Sequence, residues 1–357
     1  MTQQDEGSVS IIIPARNEEA NIERVVRSIA PQPHVREIIV VDDDSTDRTV
    51  EILAGLSHEI PLLRTIRLDS LPEGWTGKSH AAAAGAEQAT GEWLLFTDAD
   101  TEHLPGSLEA MLERAQAKSA DLLSLSPGQQ TPTWWEKSII PFVFVQLAKI
   151  FPFEQVSDPA SPRAAANGQY LLIRRSVYDE IGGFAAVRDE ILDDVALARQ
   201  VKRRGGRLVF LPGAEWVRTR MYTSFRSMWQ GWSKNLYLLY GRKPRAVLNA
   251  LCPVLLLDVL FPLGLLAMGV WIVAGESALW PLLGVVVCYL GAALRQWNYR
   301  QRLEQLGFER RLATYHFAGA VLFLLLLVNS MWAHTVAGGV RWKGRSYQTL
   351  GKGWKTE

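Results

Sequence analysis

The sequence predicts an α/β protein: a doubly wound, mainly parallel sheet domain followed by C-terminal transmembrane helices. Three observations predict it. Short β-branched apolar runs alternate with segments of helical period through the first two-thirds of the chain. Those runs repeatedly end in proline or aspartate, the carboxyl-end position where sheets of this class bind ligands. The last third carries long apolar runs with almost no charge.

The elements follow in order. Val9–Ile13 is β-branched and closed by Pro14, which reads as a first buried strand. Asn17–Ile29 places Ala20, Ile22, Val25, Val26 and Ile29 at helical spacing. Glu37–Val41 is a second strand, closed by Asp42, Asp43 and Asp44. Thr46–Leu56 reads as the next helix, with Asp47 near its start. Leu62–Leu68 is a third strand, His80–Gln88 an alanine-rich helix, and Trp93–Thr97 a fourth strand closed by Asp98 and Asp100. Trp134–Phe153, rich in Trp and Phe, reads as an interfacial segment or as a core helix. Gly168–Ile173 is a strand, Val177–Ile181 a short helix, Asp193–Arg204 a helix stopped by Gly205-Gly206, and Arg207–Leu211 a further strand.

At 357 residues the chain suits two regions. Residues 1–245 are expected to form the sheet domain, with the segment about 134–153 inside it, 246–340 the transmembrane helices and 341–357 a basic tail. Lys plus Arg total 38 against 37 for Asp plus Glu, so no global charge points to nucleic acid. Cys252 and Cys288 both lie in apolar stretches and give no disulfide framework or zinc spacing. Met1–Ser8 is polar and acidic, without the apolar core of a signal peptide, so the sheet domain is expected to stay in the cytoplasm.

Leu251–Gly275 is apolar except for Asp258, and Pro253 and Pro262 can divide it. Leu279–Leu294 is a shorter uncharged run and His316–Gly338 the clearest span. The stretch between them, read as a loop, carries Arg295, Arg300, Arg302, Arg310 and Arg311 and should face the cytoplasm. A multi-pass protein of the cell (inner) membrane is expected. A third full crossing would put Arg341, Lys343, Arg345, Lys352 and Lys355 outside, against the positive-inside rule.

Three carboxylate groups carry the chemistry. Asp98 and Asp100, two apart at a strand end, can converge on a hard divalent cation such as Mg²⁺ or Mn²⁺, which prefers oxygen ligands and shares them with phosphates. Asp42 or Asp43 can accept a hydrogen bond from a base or a ribose hydroxyl, while Asp47 serves the following helix. Asp193-Asp194 opens a helix, where a carboxylate can act as a general base or complement the helix dipole. Lys78, in Gly74-Trp75-Thr76-Gly77-Lys78, can place an ammonium beside a phosphate. His80, His103, His316 and His334 have no metal-ligand spacing.

Taken together and in this order, the motifs resemble the inverting glycosyltransferase family 2, with its GT-A, Rossmann-like fold. The match runs through I-I-I-P-A-R-N-E-E at Ile11–Glu19, V-D-D-D-S-T-D from Val41, G-E-W-L-L-F-T-D-A-D, G-G-F at Gly182–Phe184 and L-D-D-V-A-L-A-R-Q-V-K at Leu192–Lys202. The resemblance implies that Pro14, Asn17 and Glu18 flank a nucleotide and that Asp42 or Asp43 meets uracil or ribose. It implies Asp98 on the ribose or sugar, Asp100 on the metal and Asp194 as base. Asp193 stands where the family more usually has Glu. The family's Gln-x-x-Arg-Trp is absent; Gln230, Trp232 and Lys234 are the candidates for the diphosphate side, and Gly168 and Gln169 for the acceptor side. The lysine segment, the apolar last third and the basic tail are similar to lipid-acceptor branches: the carotenoid-glucosylating and hopanoid-associated enzymes, more distantly ceramide glucosyltransferases. The implied activity is transfer of a hexose from a nucleoside-diphosphate sugar, UDP-linked, to a hydroxyl or carboxyl of a membrane lipid. Transfer to a polyprenyl phosphate, or a non-catalytic membrane scaffold with a degenerate transferase domain, are the alternatives.

Overall fold

A computed structural model describes residues 7–273, 279–342 and 345–348. The acidic start of the chain up to Glu6, the end of the first apolar run at Gly275, and Lys343, Lys352 and Lys355 of the basic tail lie outside the described residues. Two compact units emerge. One gathers the described residues of Met1–Gln130 and Phe151–Met221; the other gathers those of Thr131–Ile150 and Tyr222–Leu350.

The first unit begins β1 (Val9–Ala15), α1 (Ile22–Ile29), β2 (Val35–Asp43), α2 (Thr49–Glu59), β3 (Leu63–Leu68), α3 (Gly77–Gln88), β4 (Trp93–Phe96). It continues through β5 (Thr101–His103), α4 (Ser107–Ala117) and β6 (Leu122–Gln129). In the second unit lies α5 (Trp134–Ile150), after which the first resumes with α6 (Phe153–Ser157), β7 (Leu171–Arg174), α7 (Arg175–Glu180), α8 (Asp193–Arg203) and β8 (Leu208–Thr219). Eight strands form one sheet in the order β3-β2-β1-β4-β7-β6-β8-β5. The half around β1 is parallel; β7 runs antiparallel to both β4 and β6, and β5 antiparallel to β8. The sheet is therefore mixed, and parallel on the side that carries Pro14, Asp42, Asp43 and Asp98.

Local chemistry sets these elements. Ile11, Ile12 and Ile13 of β1 are fully buried, as a central strand covered on both faces requires. Pro14 lies beyond the last β4 partner of the strand, Ile12 opposite Phe96, so its missing N–H interrupts no β4 ladder. The helix expected from Asn17 starts only at Ile22, because Asn17 adopts a left-handed φ of 54° that a helix cannot hold. Ile22, Val25, Val26 and Ile29 then form the buried stripe of α1. The helix expected from Thr46 starts at Thr49, whose backbone N–H donates to Asp47 Oδ1 at 3.0 Å. Helix α3 lies close to the sheet because its inner face is alanine and glycine. A Cβ on Gly85 would meet Ile12 Cγ2 at 2.5 Å and Val41 Cγ2 at 3.0 Å.

The second unit is helical. It comprises α5, α9 (Phe225–Leu239), α10 (Pro244–Pro253), a π-helical segment (Val254–Leu260), α11 (Phe261–Val273), α12 (Leu279–Gln305), a 3₁₀ segment (Arg310–Tyr315), α13 (His316–Thr335) and the hairpin β9 (Gly339–Trp342) with β10 (Arg345–Gln348). Within it α5 is a buried helix: Ile139, Phe142 and Val143 are fully covered, and Phe142 packs on Phe323 of α13. Two helices are long and apolar enough to cross a membrane, Pro244–Trp271 with mean hydropathy 2.3 and Arg310–Thr335 with 1.8. Leu256, Leu266, Val287, Leu290 and Trp332 point outward, a surface that suits hydrocarbon better than water.

The arginine-rich stretch expected to be a loop is mostly helix. Because α12 continues to Gln305, Arg295, Arg300 and Arg302 are helical, and only the short turn before the 3₁₀ segment connects it to α13. Arg295 is also not a solvent charge. It grips buried Asp258 of the π-helical segment in a two-pronged pair, with one contact of 2.6 Å, and His316 Nε2 lies 3.3 Å from the same carboxylate. The one acidic residue of the first apolar run is thus paired within the helical unit.

Candidate active site

The site is built at the carboxyl ends of β1, β2 and β4 and at the amino ends of α3 and α8. After β1, the loop carrying Asn17 and Glu18 is tied to the loop after β2. Asn17 N–H donates to Ser45 Oγ at 2.9 Å, Thr46 N–H donates to Asn17 Oδ1 at 2.8 Å, and Glu18 N–H donates to Thr49 Oγ1 at 2.8 Å. Asn17 and Glu18 are therefore placed by β2–α2 side chains. Asp42 is fully buried and accepts from Ser45 N–H at 3.3 Å; Asp43 is nearly so, and its carbonyl accepts from Arg16 at 2.7 Å.

Lys78 is the hub of the remaining residues. Thr76 caps α3 by accepting from Ser79 N–H at 3.2 Å, which fixes where the helix begins and holds Lys78 in its first turn. The ammonium lies 2.5 Å from Asp98 Oδ1. A Cβ on Gly168 would lie 2.6 Å from Lys78 Nζ and 3.6 Å from Asp194 Oδ2, so a side chain there would displace the ammonium from this junction. Burial alone would lower the lysine's pKa, but Asp98, Asp193 and Asp194 together push it up, and it stays charged.

Asp194 is held by backbone. Its Oδ2 accepts from Gly168 N–H at 2.8 Å and its Oδ1 from its neighbour Val195 N–H at 2.7 Å. Asp193 Oδ1 accepts from Asp194 N–H at 2.9 Å, and its Oδ2 from Ser79 Oγ at 3.3 Å. Burial, and next the charge of Asp193, push Asp194 up to about 6; Lys78 and the two N–H donors pull the other way. A carboxylate tuned close to neutrality suits proton removal at physiological pH.

The turn that offers Gly168 N–H is itself braced. Gln169 N–H donates to Asn167 Oδ1 at 3.0 Å, an Asx-type turn, and the Gln169 carbonyl accepts from Thr97 Oγ1 at 2.8 Å. Gln169 is buried, and its amide also meets Gln129 and Thr219. Ser79, Asn167 and Thr97 were not singled out from the sequence. The Thr-x-x-Ser spacing of Thr76 and Ser79 is a capping signal that finds the first; the Asn-Gly dipeptide is a turn signal that finds the second. His103 donates to or accepts from Thr97 Oγ1 at 3.0 Å, and burial drives its pKa down to about 3, which keeps it neutral.

Asp98 and Asp100 supply hard oxygen donors two residues apart in the turn between β4 and β5. Among the described residues no cluster of three metal-ligating side chains exists. This donor set fits a divalent cation that takes most of its ligands from phosphate and water, and does not fit an all-protein cage. Gln230, Trp232 and Lys234 belong to α9 in the second unit. There Trp232 is buried edge-on to Tyr222 and Phe144, and the Lys234 ammonium lies 5.3 Å over Trp342.

A family model, glycosyl transferase family 2, matches residues 10–195. The chain belongs to this family. The matched span holds every site residue described above in the first unit, from Pro14 to Asp194. This family 2 glycosyltransferase is 29% identical over 232 residues to the 4,4'-diaponeurosporenoate glycosyltransferase of Staphylococcus haemolyticus, an alignment covering 64% of the chain and 61% of that relative. To the 4,4'-diaponeurosporenoate glycosyltransferase of Staphylococcus aureus it is 26% identical over 344 residues, 95% of the chain and 88% of the relative. Its fold is similar to that of the mannosyltransferase PcManGT from Pyrobaculum calidifontis, solved in complex with GDP-Man and Mn²⁺. The TM-score is 0.51 at 19% identity, covering 89% of this chain and 86% of that one. The GT-A fold of this family 2 glycosyltransferase is thereby shown.

Proposed function

We propose that this glycosyltransferase moves a hexose, with inversion, from a nucleoside-diphosphate sugar to a hydroxyl or carboxyl of a membrane lipid, a carotenoid-type acceptor above all. The single observation that carries the chemistry is the junction at Lys78. It draws Asp98, from the end of β4, together with Asp194, from the start of α8. Donor and base carboxylates must lie near one another when the sugar's anomeric carbon is attacked from the side opposite the leaving group. The names of the relatives support a lipid acceptor, and the outward apolar helices support a membrane association; in this reading the protein is a multi-pass one of the inner membrane, oriented with its sheet domain in the cytoplasm by the arginines that precede α13.

In this reading Asp42 or Asp43 accepts hydrogen bonds from the base or ribose of a UDP-linked donor. Pro14, Asn17 and Glu18 form the wall of the nucleotide cleft, and Asn17 is held there by Ser45 and Thr46. Asp100, with Asp98, would hold a divalent cation, Mg²⁺ or Mn²⁺. When bound, such a cation supplies neutralisation of the departing diphosphate. Lys78 adds a positive charge beside Asp98, available to the diphosphate as the donor enters. Asp194 takes the proton of an acceptor hydroxyl; a carboxyl acceptor arrives already ionised, and there Asp194 orients rather than deprotonates. Asp193 braces Asp194, and Gly168 and Gln169 form the turn facing the acceptor.

The test uses the full chain in detergent or lipid nanodiscs. Purified protein with Mn²⁺ should bind a UDP-sugar and transfer label into a carotenoid carboxylic acid or alcohol. Absence of donor binding would reject the enzyme reading. An acid-labile product on polyprenyl phosphate, with none on carotenoid, would replace the acceptor.

A further inference from the structure

The helical unit contains a cavity rimmed by three arginines, none of them assigned a part in the transfer reaction. It has a volume of about 220 Å³ and is lined by Trp297, Arg300 and Gln301 from α12 and by Arg310, Arg311 and Thr314 from the 3₁₀ segment. The α12 residues fall at i, i+3 and i+4 and so share one helix face. That face meets a segment only a short turn away in sequence, so the cavity is local to one helical corner.

Its depth is set by the sequence. Upstream of Arg295 α12 is uncharged from Leu279 to Leu294; downstream it is polar, with the exposed Trp297 at the switch. The 3₁₀ segment leads directly into the apolar α13. Both walls of the cavity are thus the ends of apolar helices, where aromatic rings mark the headgroup layer of a bilayer. Arg310 pairs with Glu304 and Arg311 with Glu309, but all four are exposed, and exposed pairs are weak and readily exchanged. Among the described residues Arg300 has no carboxylate partner. Three guanidinium forks against two carboxylates leave a net positive rim around a mostly apolar wall, with Gln301 as an additional hydrogen-bond donor and Trp297 as an apolar side; the Thr314 hydroxyl donates to the Arg311 carbonyl at 2.9 Å.

We propose that this cavity binds the phosphodiester headgroup of an anionic membrane phospholipid, distinct from the lipid that accepts sugar. The glycerol-side chains of such a lipid would follow the apolar surfaces of α12 and α13 away from the arginines. The site anchors the helical corner at the headgroup layer, independently of what the sheet domain transfers. The proposal rests on the membrane reading of the helical unit, and the experiment separates the two.

The full chain is reconstituted in nanodiscs of phosphatidylcholine containing a minor share of phosphatidylglycerol, then released gently and its retained lipids weighed by native mass spectrometry. Wild type should retain phosphatidylglycerol well above its share. The variant R300Q/R310Q/R311Q should lose that enrichment, about fivefold per arginine removed for charges near an anionic surface. E304Q/E309Q, which releases two arginines from their internal partners, should retain more phosphatidylglycerol than wild type; this gain cannot come from misfolding. Equal retention in wild type and the arginine variant, together with no gain in E304Q/E309Q, overturns the proposal. Loss of the retained lipid on adding millimolar inorganic phosphate, with phosphate bound in its place, makes the site one for free phosphate and also overturns it. Failure of the chain to enter nanodiscs at all overturns the membrane reading itself.

Discussion

Replacing Asp194 by asparagine separates catalysis from stability in a way the local geometry specifies. The carboxylate is pushed up to about 6 by burial and by Asp193, against an ordinary value of 3.8. As the catalytic base it contributes on the order of 10²–10⁴ in rate, so Asp194→Asn should lower kcat for a hydroxyl acceptor by about that factor. Donor binding should change little, because Asp42, Asp43, Asp98 and Asp100 are untouched. The stability effect has the opposite sign. A carboxyl whose folded pKa is raised favours the folded state fully below pH 3.8, and that advantage is lost as pH rises through about 6. At pH 7.5 the ionised Asp194 is therefore a burden of up to about 3 kcal/mol, partly offset by the N–H bonds that asparagine accepts less well. Asp194→Asn should unfold at a higher temperature than wild type at pH 7.5 and at the same temperature near pH 4. The assay is thermal unfolding in detergent at both pH values beside label transfer from a UDP-sugar. Wild-type turnover in the variant, or a stability gain equal at both pH values, would refute the reasoning.

Four further outcomes follow from the same contacts. Wild-type kcat with a hydroxyl acceptor should fall about tenfold per unit below pH 6; Lys78→Met, which removes the cation that lowers Asp194, should move that acid limb to higher pH, and an unmoved limb in the pH profile would count against the hub. Chelation should abolish transfer and added Mn²⁺ restore it, with Asp100→Asn requiring more Mn²⁺ than wild type; undiminished transfer in chelator would remove the cation from the reaction. Arg295→Leu removes the two-pronged partner of the buried Asp258 carboxylate, leaving only His316 beside it, and should cost about 3–5 kcal/mol, whereas Asp258→Leu/Arg295→Leu together should cost much less; equal unfolding temperatures would show that the pair is not coupled. Gly85→Val must push α3 off Ile12 and should destabilise the sheet domain by about 1–3 kcal/mol, read from the denaturation midpoint; a neutral result would deny the close approach.

The first strands were legible because short, fully apolar runs signal burial, although β1 continues through Pro14 to Ala15 and β2 through Asp42 to Asp43, past the residues expected to close them. The helices were legible where one apolar stripe dominates, as in α1. Strand β6 and helix α4 were not. The serines and proline of β6 mask its period, and its Ser124 is paired by Asn167 and Tyr170 from a distant segment. Helix starts were misplaced where side chains of another loop decide them, as Ser45 and Thr49 do for the loop before α1. The reading of Arg295 as a loop charge failed for a similar reason. Its partner Asp258 lies 37 positions earlier, and no local pattern joins the two. In the site, sequence order pointed to Asp98, Asp193, Asp194, Lys78 and Gly168 separately, and the structure supplied what links them: the lysine's contact with Asp98, the glycine N–H on Asp194 and the Asx turn that aims that N–H.

The most direct measurement is of label partition. The full chain in nanodiscs is incubated with UDP-[¹⁴C]glucose, Mn²⁺ and a carotenoid carboxylic acid or alcohol, and the organic phase is counted for wild type and for Asp98→Asn/Asp100→Asn. Label should enter the carotenoid fraction with wild type and stay aqueous with the double variant. Label that enters lipid equally with both proteins would contradict the assignment of the sheet-end carboxylates to sugar transfer.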